Sequence, residues 1–587
     1  MSRQVREYSV TLLPDGKRVR VPEGTTLFEA IRRGGLIFNA PCGGSGTCGK
    51  CMVHVANGPT TVPVFSCRTE VRGDITVVLP REGEHHILTT SVRMNLEVEP
   101  LLRRVSVAFR HSEPRDRRSE WDRLKDACGM TDAPVNIPLA ACLPDRLSEL
   151  GDYAEAVIFG NEILDVRPPG RRLCAIAFDL GTTTVVGWLL DGQTGETIAV
   201  SSMLNPQVLF GADVITRANY VLSGGKAALA DSARAALNNL TEAAAATAGV
   251  SKDDIYLAVV VGNTCMHHLF LGLSPASLVL APYRPVVTEP LILDAEQYLK
   301  INASGRIFTL PNIAGFVGSD TVGVMIATGL DRVDELTLAI DIGTNGELVL
   351  ADGHRIKTCS TAAGPAFEGA KISCGMRGTT GAVDHVRFDG EDFHASVIGG
   401  GVPKGICGSG LMDLVAGLLD AEIIDPTGRL SQSENQAFSK RFATIEDQPA
   451  FAISDGVYLT QRDVREVQLA KAAMAAGIKL LIRSMDAEIE DVRTVLIAGA
   501  FGSFMNPASA ARIGLIPPEL ESRVVAVGNA AGEGARMVAL SKSEWKRAGK
   551  LGRTAQYLDL AADPDFHDCF VDEMWFPEKS NRVSVLL

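Results

Sequence analysis

From Cys174 to Val200 the chain reads CAIAFDLGTTTVVGWLLDGQTGETIAV, and from Leu338 to Ser360 it reads LAIDIGTNGELVLADGHRIKTCS. Each stretch is an apolar run, then Asp-x-Gly-Thr, a second run, an Asp-Gly turn and a third run. Short apolar runs punctuated by Asp and Gly predict antiparallel strands joined by tight turns. Asp179 to Asp191 spans 12 positions, Asp341 to Asp352 spans 11, and the two copies lie 162 residues apart. The repeat predicts a duplicated domain of two lobes, each built on a β-meander.

The parallel continues outward. An alanine-rich helix over Lys226–Ala248 leads to a strand at Tyr256–Val261 and then Gly262-Asn263-Thr264. A helix over Asp463–Ser484 leads to a strand at Thr494–Ile497 and then Ala498-Gly499-Ala500-Phe501-Gly502. Each half ends on a Val-Gly that opens a small-residue helix, VGSDTVGVMIATG from Val317 and VGNAAGEGARMVA from Val527. Without bulky side chains such helices can cross closely or hinge.

The Asp-x-Gly-Thr turns point to phosphate. Gly181 and Gly343 let the backbone approach an anion, while Thr182, Thr183, Thr344 and Asn345 supply donors. Asp179 and Asp341 are placed to reach one Mg2+ ion through its waters. A single turn of this kind is equally an ordinary polar turn; two copies between apolar strands make a nucleotide site. Asp320 opens the first connecting helix and is a candidate to position an attacking water. GICGSGLMD (Gly405–Asp413) opens a further helix, so Gly408, Ser409 and Gly410 are candidates beside the nucleotide, with a plain tight turn as the rival reading.

At the front, Cys42, Cys48, Cys51 and Cys67 fall within 26 positions, whereas the other eight cysteines lie singly. The set reads C-x5-C-x2-C and then C-x15-C, with Gly43, Gly44, Gly46 and Gly49 in the loop. A glycine-rich loop can wrap a cluster and aim N–H groups at its sulfurs, which predicts iron–sulfur ligation; zinc is the rival, but its sites usually carry two short cysteine hooks. Around the loop, Glu7–Leu13 and Arg18–Val21 predict a hairpin turning at Pro14-Asp15-Gly16, Thr26–Arg33 a short helix and Ile75–Leu79 a closing strand. These elements resemble a plant-type [2Fe–2S] ferredoxin, with one extra residue between the first two cysteines and an early fourth.

Of the 587 residues, 57 are Lys or Arg and 70 are Asp or Glu, a net charge of −13 that excludes a general nucleic-acid binder. Residues 1–125 carry 20 basic and 14 acidic side chains, a balance of +6, leaving −19 for the remainder. That surplus predicts docking of an acidic partner. Met1–Val10 is charged and lacks an apolar core, and Ile255–Tyr283, though free of Lys, Arg, Asp and Glu, contains His267, His268 and two prolines. Neither a secretory signal nor a membrane span is expected, and sparse cysteine favours a reducing, cytoplasmic setting. His267 and His268 read as hydrogen-bonded structural residues. Arg103–Lys125, with eight basic and four acidic residues, reads as a mobile connector.

The paired motifs resemble the acetate kinase, sugar kinase, Hsp70 and actin superfamily. On that resemblance Asp179–Thr183 and Asp341–Asn345 are its two phosphate motifs, Ala498–Gly502 its adenosine motif, and the helices after Gly318 and Gly528 its connecting motifs. A ferredoxin-like front fused to this ATPase, together with GNTCMHH (Gly262–His268), PNIAGFVGSD (Pro311–Asp320) and AAGPAFEGA (Ala362–Ala370), resembles the reductive activators of corrinoid proteins. The expected fold is therefore multidomain α+β and α/β. It comprises a β-grasp-type [2Fe–2S] ferredoxin domain (1–92), a linker and small α/β middle domain (93–170), and a duplicated actin/Hsp70-like ATPase (171–587, lobes about 171–330 and 331–587).

The resemblance implies that ATP drives one electron from the cluster to inactive Co(II) corrinoid, restoring Co(I) for methyl transfer. Plant-type clusters sit near about −400 mV and the resemblance places the cobalt couple lower, so a gap of ~100 mV costs about 2.3 kcal/mol. ATP binding and hydrolysis could supply that through a change in partner binding. Expected partners are the corrinoid protein of a methyltransferase system and an acidic electron donor (flavodoxin, ferredoxin or reductase), with a homodimer left open. The rival functions are an iron–sulfur-linked small-molecule kinase and a redox-sensing ATPase that gates partner binding.

Overall fold

A computed structural model describes residues 6–36, 38, 40, 42–44, 46, 50–57, 60–80, 89, 96–108, 117–150, 153–431 and 436–578. The front forms a five-stranded sheet in the order Lys17–Pro22, Glu7–Leu13, Ile75–Val78, Met52–Asn57, Thr60–Phe65. Glu7–Leu13 and Ile75–Val78 run parallel, Val10 opposite Ile75, and the helix Leu27–Arg33 packs on the sheet. Thr26 starts that helix because its hydroxyl accepts from the Glu29 N–H at 3.2 Å, and Arg32 and Arg33 in the last turn suit its C-terminal dipole. Leu27, Ala30 and Ile31 on its inner face are fully buried against Val10, Leu12, Val53 and Val77.

Leu102–Ala108, Tyr153–Phe159 and Glu162–Arg167 form a three-stranded antiparallel sheet, with helices Glu120–Cys128 and Ile137–Leu150 packed on it. Of the stretch Arg103–Lys125, expected to be a mobile connector, residues 109–116 lie outside the described residues, whereas 103–108 belong to this sheet and 120–125 to its first helix, which corrects the expectation there. Val107, Trp121 and Leu124 are buried there, and the charges of the helix pair with one another, Arg123 with Glu120 and Lys125 with Asp122. A basic edge strand looks like a linker in composition alone, because half of its residues face water.

Each lobe has a six-stranded sheet. The first runs Thr197–Leu204, Thr184–Asp191, Cys174–Leu180, Ile255–Val261, Arg306–Thr309, Leu291–Asp294. The second runs Ile356–Thr361, Gly346–Ala351, Thr337–Ile342, Thr494–Ala498, Val524–Gly528, with Gln556–Tyr557 added beside Ile356–Thr361. The meander, the parallel strand after the long helix and the register all repeat: Asp179 lies opposite Val261, and Asp341 opposite Ala498. The long helices are Lys226–Ala248 and Gln461–Ser484, the latter opened by a capping box in which Thr460 and Asp463 satisfy each other's backbone N–H. The second lobe carries two further three-stranded sheets between its meander and that helix. Ser319–Thr328 and Ala530–Leu540 cross between the two lobes, and a single apolar cluster continues through both of them, from Ala175 and Val259 to Ala339, Val349 and Ala535. Among the described residues no helix is long and apolar enough to cross a membrane.

Candidate functional site

The two Asp-x-Gly-Thr turns face each other across a cleft of about 250 Å³. Asp179, Gly181, Thr182 and Thr183 line it from the first lobe and Asp341, Gly343, Thr344 and Asn345 from the second, joined by Asp320, Gly499 and Phe501. Strand ends place these groups, since Asp179 and Asp341 stand next to last in Cys174–Leu180 and Thr337–Ile342. Gly499 has φ +86°, and a Cβ there would lie 2.7 Å from Asp341 Oδ1, so no other residue fits without strain.

The cleft is a crowd of carboxyls short of water. Burial pushes Asp179 up to about 6, opposed by the Asn529 amide, which donates to its Oδ2 at 2.9 Å. Burial and then the charge of Asp179 push Asp341 up to about 7. Burial and then Asp341 do the same for Asp320, also to about 7. Glu347 lies opposite Asp341 on the neighbouring strand and is raised by burial, Asp320 and Asp341. Desolvated carboxyls of like charge favour a cation among them. Among the described residues no three such side chains converge tightly enough to hold a metal by themselves, so an ion here needs waters and phosphate oxygens as well.

Glu368 lies in the stretch Ala362–Ala370, quoted above only for its family resemblance. Its Oε2 accepts from Thr183 Oγ1 at 3.0 Å and its Oε1 from Thr344 Oγ1 at 2.6 Å, joining the two phosphate loops across the cleft. Glu347, Asn263 and Asn529 were not singled out, although each lines the cleft; Asn263 donates to Thr182 Oγ1 at 2.8 Å. Glu347 was legible in principle, as the residue that a tight hairpin sets across from Asp341.

A second cavity of about 370 Å³ adjoins the first through Thr183, Phe367, Glu368 and Phe501, and takes in Gly408 and Ser409. Phe367 and Phe501 stack there with centroids 5.2 Å apart. Gly410 and Gly502 line neither cavity; their missing Cβ atoms make room for the Val383 carbonyl and the Ile497 side chain, so both serve packing. Ala500 lies within the helix Gly499–Phe504.

At the front, Cys51 Sγ and Cys67 Sγ are 3.2 Å apart, close to the roughly 3.7 Å between sulfurs held ~2.3 Å from one tetrahedral metal. Burial first, then the Cys51 thiol and the charges of Cys51 and Cys42, pushes Cys67 up to about 11. A thiol that resists ionisation needs a cationic centre to become a thiolate, so Cys67 and the adjacent Cys51 fit two ligands of a cluster. Gly43, Gly44 and Gly46 all have positive φ, as a tightly wrapped loop requires. Cys48 lies outside the described residues.

His267 and His268 are structural, as expected: His267 bonds Thr309 and Asn312, and His268 bonds the Thr264 carbonyl and the Val286 N–H. Cys265, Cys359 and Cys407 are buried singly, and among the described residues they form no second metal site.

A [2Fe–2S] ferredoxin-like domain joined to a two-lobed ATPase of the actin and Hsp70 kind is the class that this fold and site define. Family models match in the same order: the 2Fe-2S iron-sulfur cluster binding domain over residues 10–73, the RACo middle region over 174–333, and the C-terminal domain of RACo, the ASKHA domain, over 335–585. The chain is 33% identical over 562 residues to the corrinoid activation enzyme RamQ of Eubacterium limosum, covering 92% of this chain and 94% of that protein. It is 27% identical over 420 residues to the [Co(II) methylated amine-specific corrinoid protein] reductase of Methanosarcina barkeri, covering 68% and 76%. Among solved structures it superposes on a reductive activator for corrinoid,iron-sulfur protein with a TM-score of 0.74 and 32% identity, covering 97% of this chain and 99% of that one. The chain belongs to the family of ATP-dependent reductive activators of corrinoid proteins.

Proposed function

We propose that this chain restores Co(I) in the corrinoid protein of a methyltransferase system, with ATP bound between Asp179–Thr183 and Asp341–Asn345. The observation that carries the reading is the union in one chain of a cysteine set fit for a cluster and a cleft in which Thr183 and Thr344 oppose each other. The cluster serves as a one-electron carrier. Thr182, Thr183, Thr344 and Asn345 would donate to the phosphates, while Asp179 and Asp341 would hold Mg2+, whose charge would offset that of the phosphates. Asp320, which lines the same cleft, would position the attacking water. The nucleoside would extend toward Phe501, Gly408 and Ser409 in the adjoining cavity. The test follows the Co(II) to Co(I) absorbance change with a corrinoid protein, reductant and ATP, omitting each in turn; conversion that needs no ATP overturns the reading.

The balance of +6 over residues 1–125 supports an acidic electron donor, such as a flavodoxin, ferredoxin or reductase domain. Attraction of this kind is screened by salt. Reduction of the cluster by such a donor should therefore slow as ionic strength rises, and a flat rate would leave the surplus as solvated surface.

A further inference from the structure

We propose that Lys50 is a positioning residue that latches the cluster-bearing domain to the nucleotide cleft, and that nucleotide phosphates open the latch by displacing Glu368. The proposal rests on the reading of the cleft as the ATP site. Lys50 directly precedes Cys51, and its ammonium donates to the carbonyls of Gly369 at 2.8 Å, Ile372 at 2.9 Å and Gly375 at 3.4 Å. An ammonium at the centre of three carbonyls is a charge-assisted contact, stronger than three neutral hydrogen bonds taken singly. Gly369 is the residue after Glu368, so the loop that holds Lys50 begins at the carboxylate that joins Thr183 to Thr344.

The same domain also touches the first lobe. A Cβ on Gly43 would lie 3.0 Å from the Phe210 carbonyl oxygen, and the Arg32 guanidinium sits 5.1 Å from the Phe210 ring centre and 5.2 Å from that of Tyr220. Behind this contact the buried Arg217 donates to the Gly211 carbonyl at 2.8 Å and to the Thr182 carbonyl at 2.5 Å. The ferredoxin-like domain thus straddles the cleft, seated on Phe210 of one lobe and on the Gly369–Gly375 loop of the other.

A rigid domain with a seat on each lobe fits one separation of those seats. Phosphates entering between Thr183 and Thr344 need the hydroxyls that Glu368 now holds, and repel its charge. The carboxylate must leave, and the loop starting at Gly369 moves with it. By reciprocity, a ligand that opens the latch must bind more tightly once the latch is gone.

The experiment uses the full-length, cluster-loaded protein, Mg2+ and a non-hydrolysable ATP analogue, read by hydrogen exchange and by calorimetry. In the parent protein the analogue should raise exchange both around Lys50 and in the Gly369–Gly375 loop. Lys50→Ala, with the visible absorbance of its cluster unchanged, should exchange rapidly in both segments without nucleotide. It should also bind the analogue about tenfold more tightly, which corresponds to about 1.4 kcal/mol. Glu368→Gln keeps the hydrogen-bonding shape without the charge, so the analogue should bind while the response around Lys50 falls away. If the parent binds the analogue with no change around Lys50, and Lys50→Ala has the parent's affinity, the latch is overturned and the ATP site stands. If the parent binds no analogue, the ATP reading fails and the latch with it.

Discussion

Gly323 and Gly534 touch backbone to backbone where the two connecting helices cross: a Cβ on Gly534 would lie 2.0 Å from the Gly323 carbonyl oxygen. On the other side of the crossing, a Cβ on Gly323 would lie 2.6 Å from the Ala531 carbonyl oxygen. Neither obstacle is the end of a flexible side chain that could turn away. Added bulk has to push the helices apart, a strain of ~1–3 kcal/mol for an overpacked core. Ser319–Thr328 begins beside Asp320 and Ala530–Leu540 begins at Asn529, so the displacement reaches the cleft directly. Gly534→Ala should lower ATP turnover at least tenfold while the protein still folds and still holds its cluster. Turnover is measured beside the melting temperature, and parent turnover in the folded variant would mean that the crossing tolerates a methyl group.

Asp179 and Asp341 stand at matching places in the two meanders and share one desolvated pocket. Replacing either with Ala removes a charge that the protein holds at a cost, so stability should hold or rise, while ATP hydrolysis falls at least a hundredfold and corrinoid activation falls with it. The cluster should still be reduced by dithionite, because the ferredoxin-like domain has its own core. ATPase rate read against thermal melting separates this role from a turn-fixing one. A folded Asp341→Ala protein hydrolysing ATP at the parent rate would remove Asp341 from the site.

For the cluster, the purified protein should hold two irons and two sulfides per chain. Cys67→Ser should lose most of both, since Cys67 is the partner of Cys51 at 3.2 Å, while nucleotide still binds in the cleft. Cys48→Ser should behave in the same way on the strength of its place in the C-x5-C-x2-C run. Iron and sulfide analysis beside visible absorbance decides it, and a colourless parent protein loaded with zinc would sink the assignment.

What the sequence made legible follows range. The meanders, the Lys226–Ala248 helix and the hairpin at Glu7–Leu13 all show in local pattern, because side-chain period and turn residues act over a few positions. The phosphate turns were legible for the same reason, helped by their duplication. Glu368 could be marked as unusual but not placed, because its two partners lie 185 and 24 positions away. The Lys50 contact, across 319 positions and made to backbone carbonyls, leaves no trace in residue type at its far end. The strand Leu102–Ala108 was hidden for a different reason. Its basic residues dominate composition, and only pairing with Tyr153–Phe159 reveals Val105 and Val107 on the face packed against the helices, with Leu102 buried on the opposite face.

His267 offers a readout of the first lobe that does not depend on any cofactor. Its Nε2 bonds Thr309 Oγ1 at 3.1 Å, its Nδ1 meets the Asn312 amide at 3.0 Å, and burial pushes the imidazole down to about 3. In the unfolded chain the same ring titrates near 6.5. Between these two values the unfolded state holds a proton that the folded state does not, so stability rises with pH across the window and is lost as pH falls below about 6.5. Each pH unit inside the window is worth up to about 1.4 kcal/mol. His267→Gln should be less stable than the parent at pH 7.5, because Thr309 and Asn312 lose a well-placed partner. Toward pH 5 the parent gives up about 2 kcal/mol that the variant never had, so the gap between them should shrink. Groups remote from His267, the cleft carboxyls included, are common to both proteins and cancel in the difference. Melting temperatures of parent and variant at pH 7.5 and 5 supply the comparison, and a gap of the same size at both would show that His267 is not held neutral in the folded lobe.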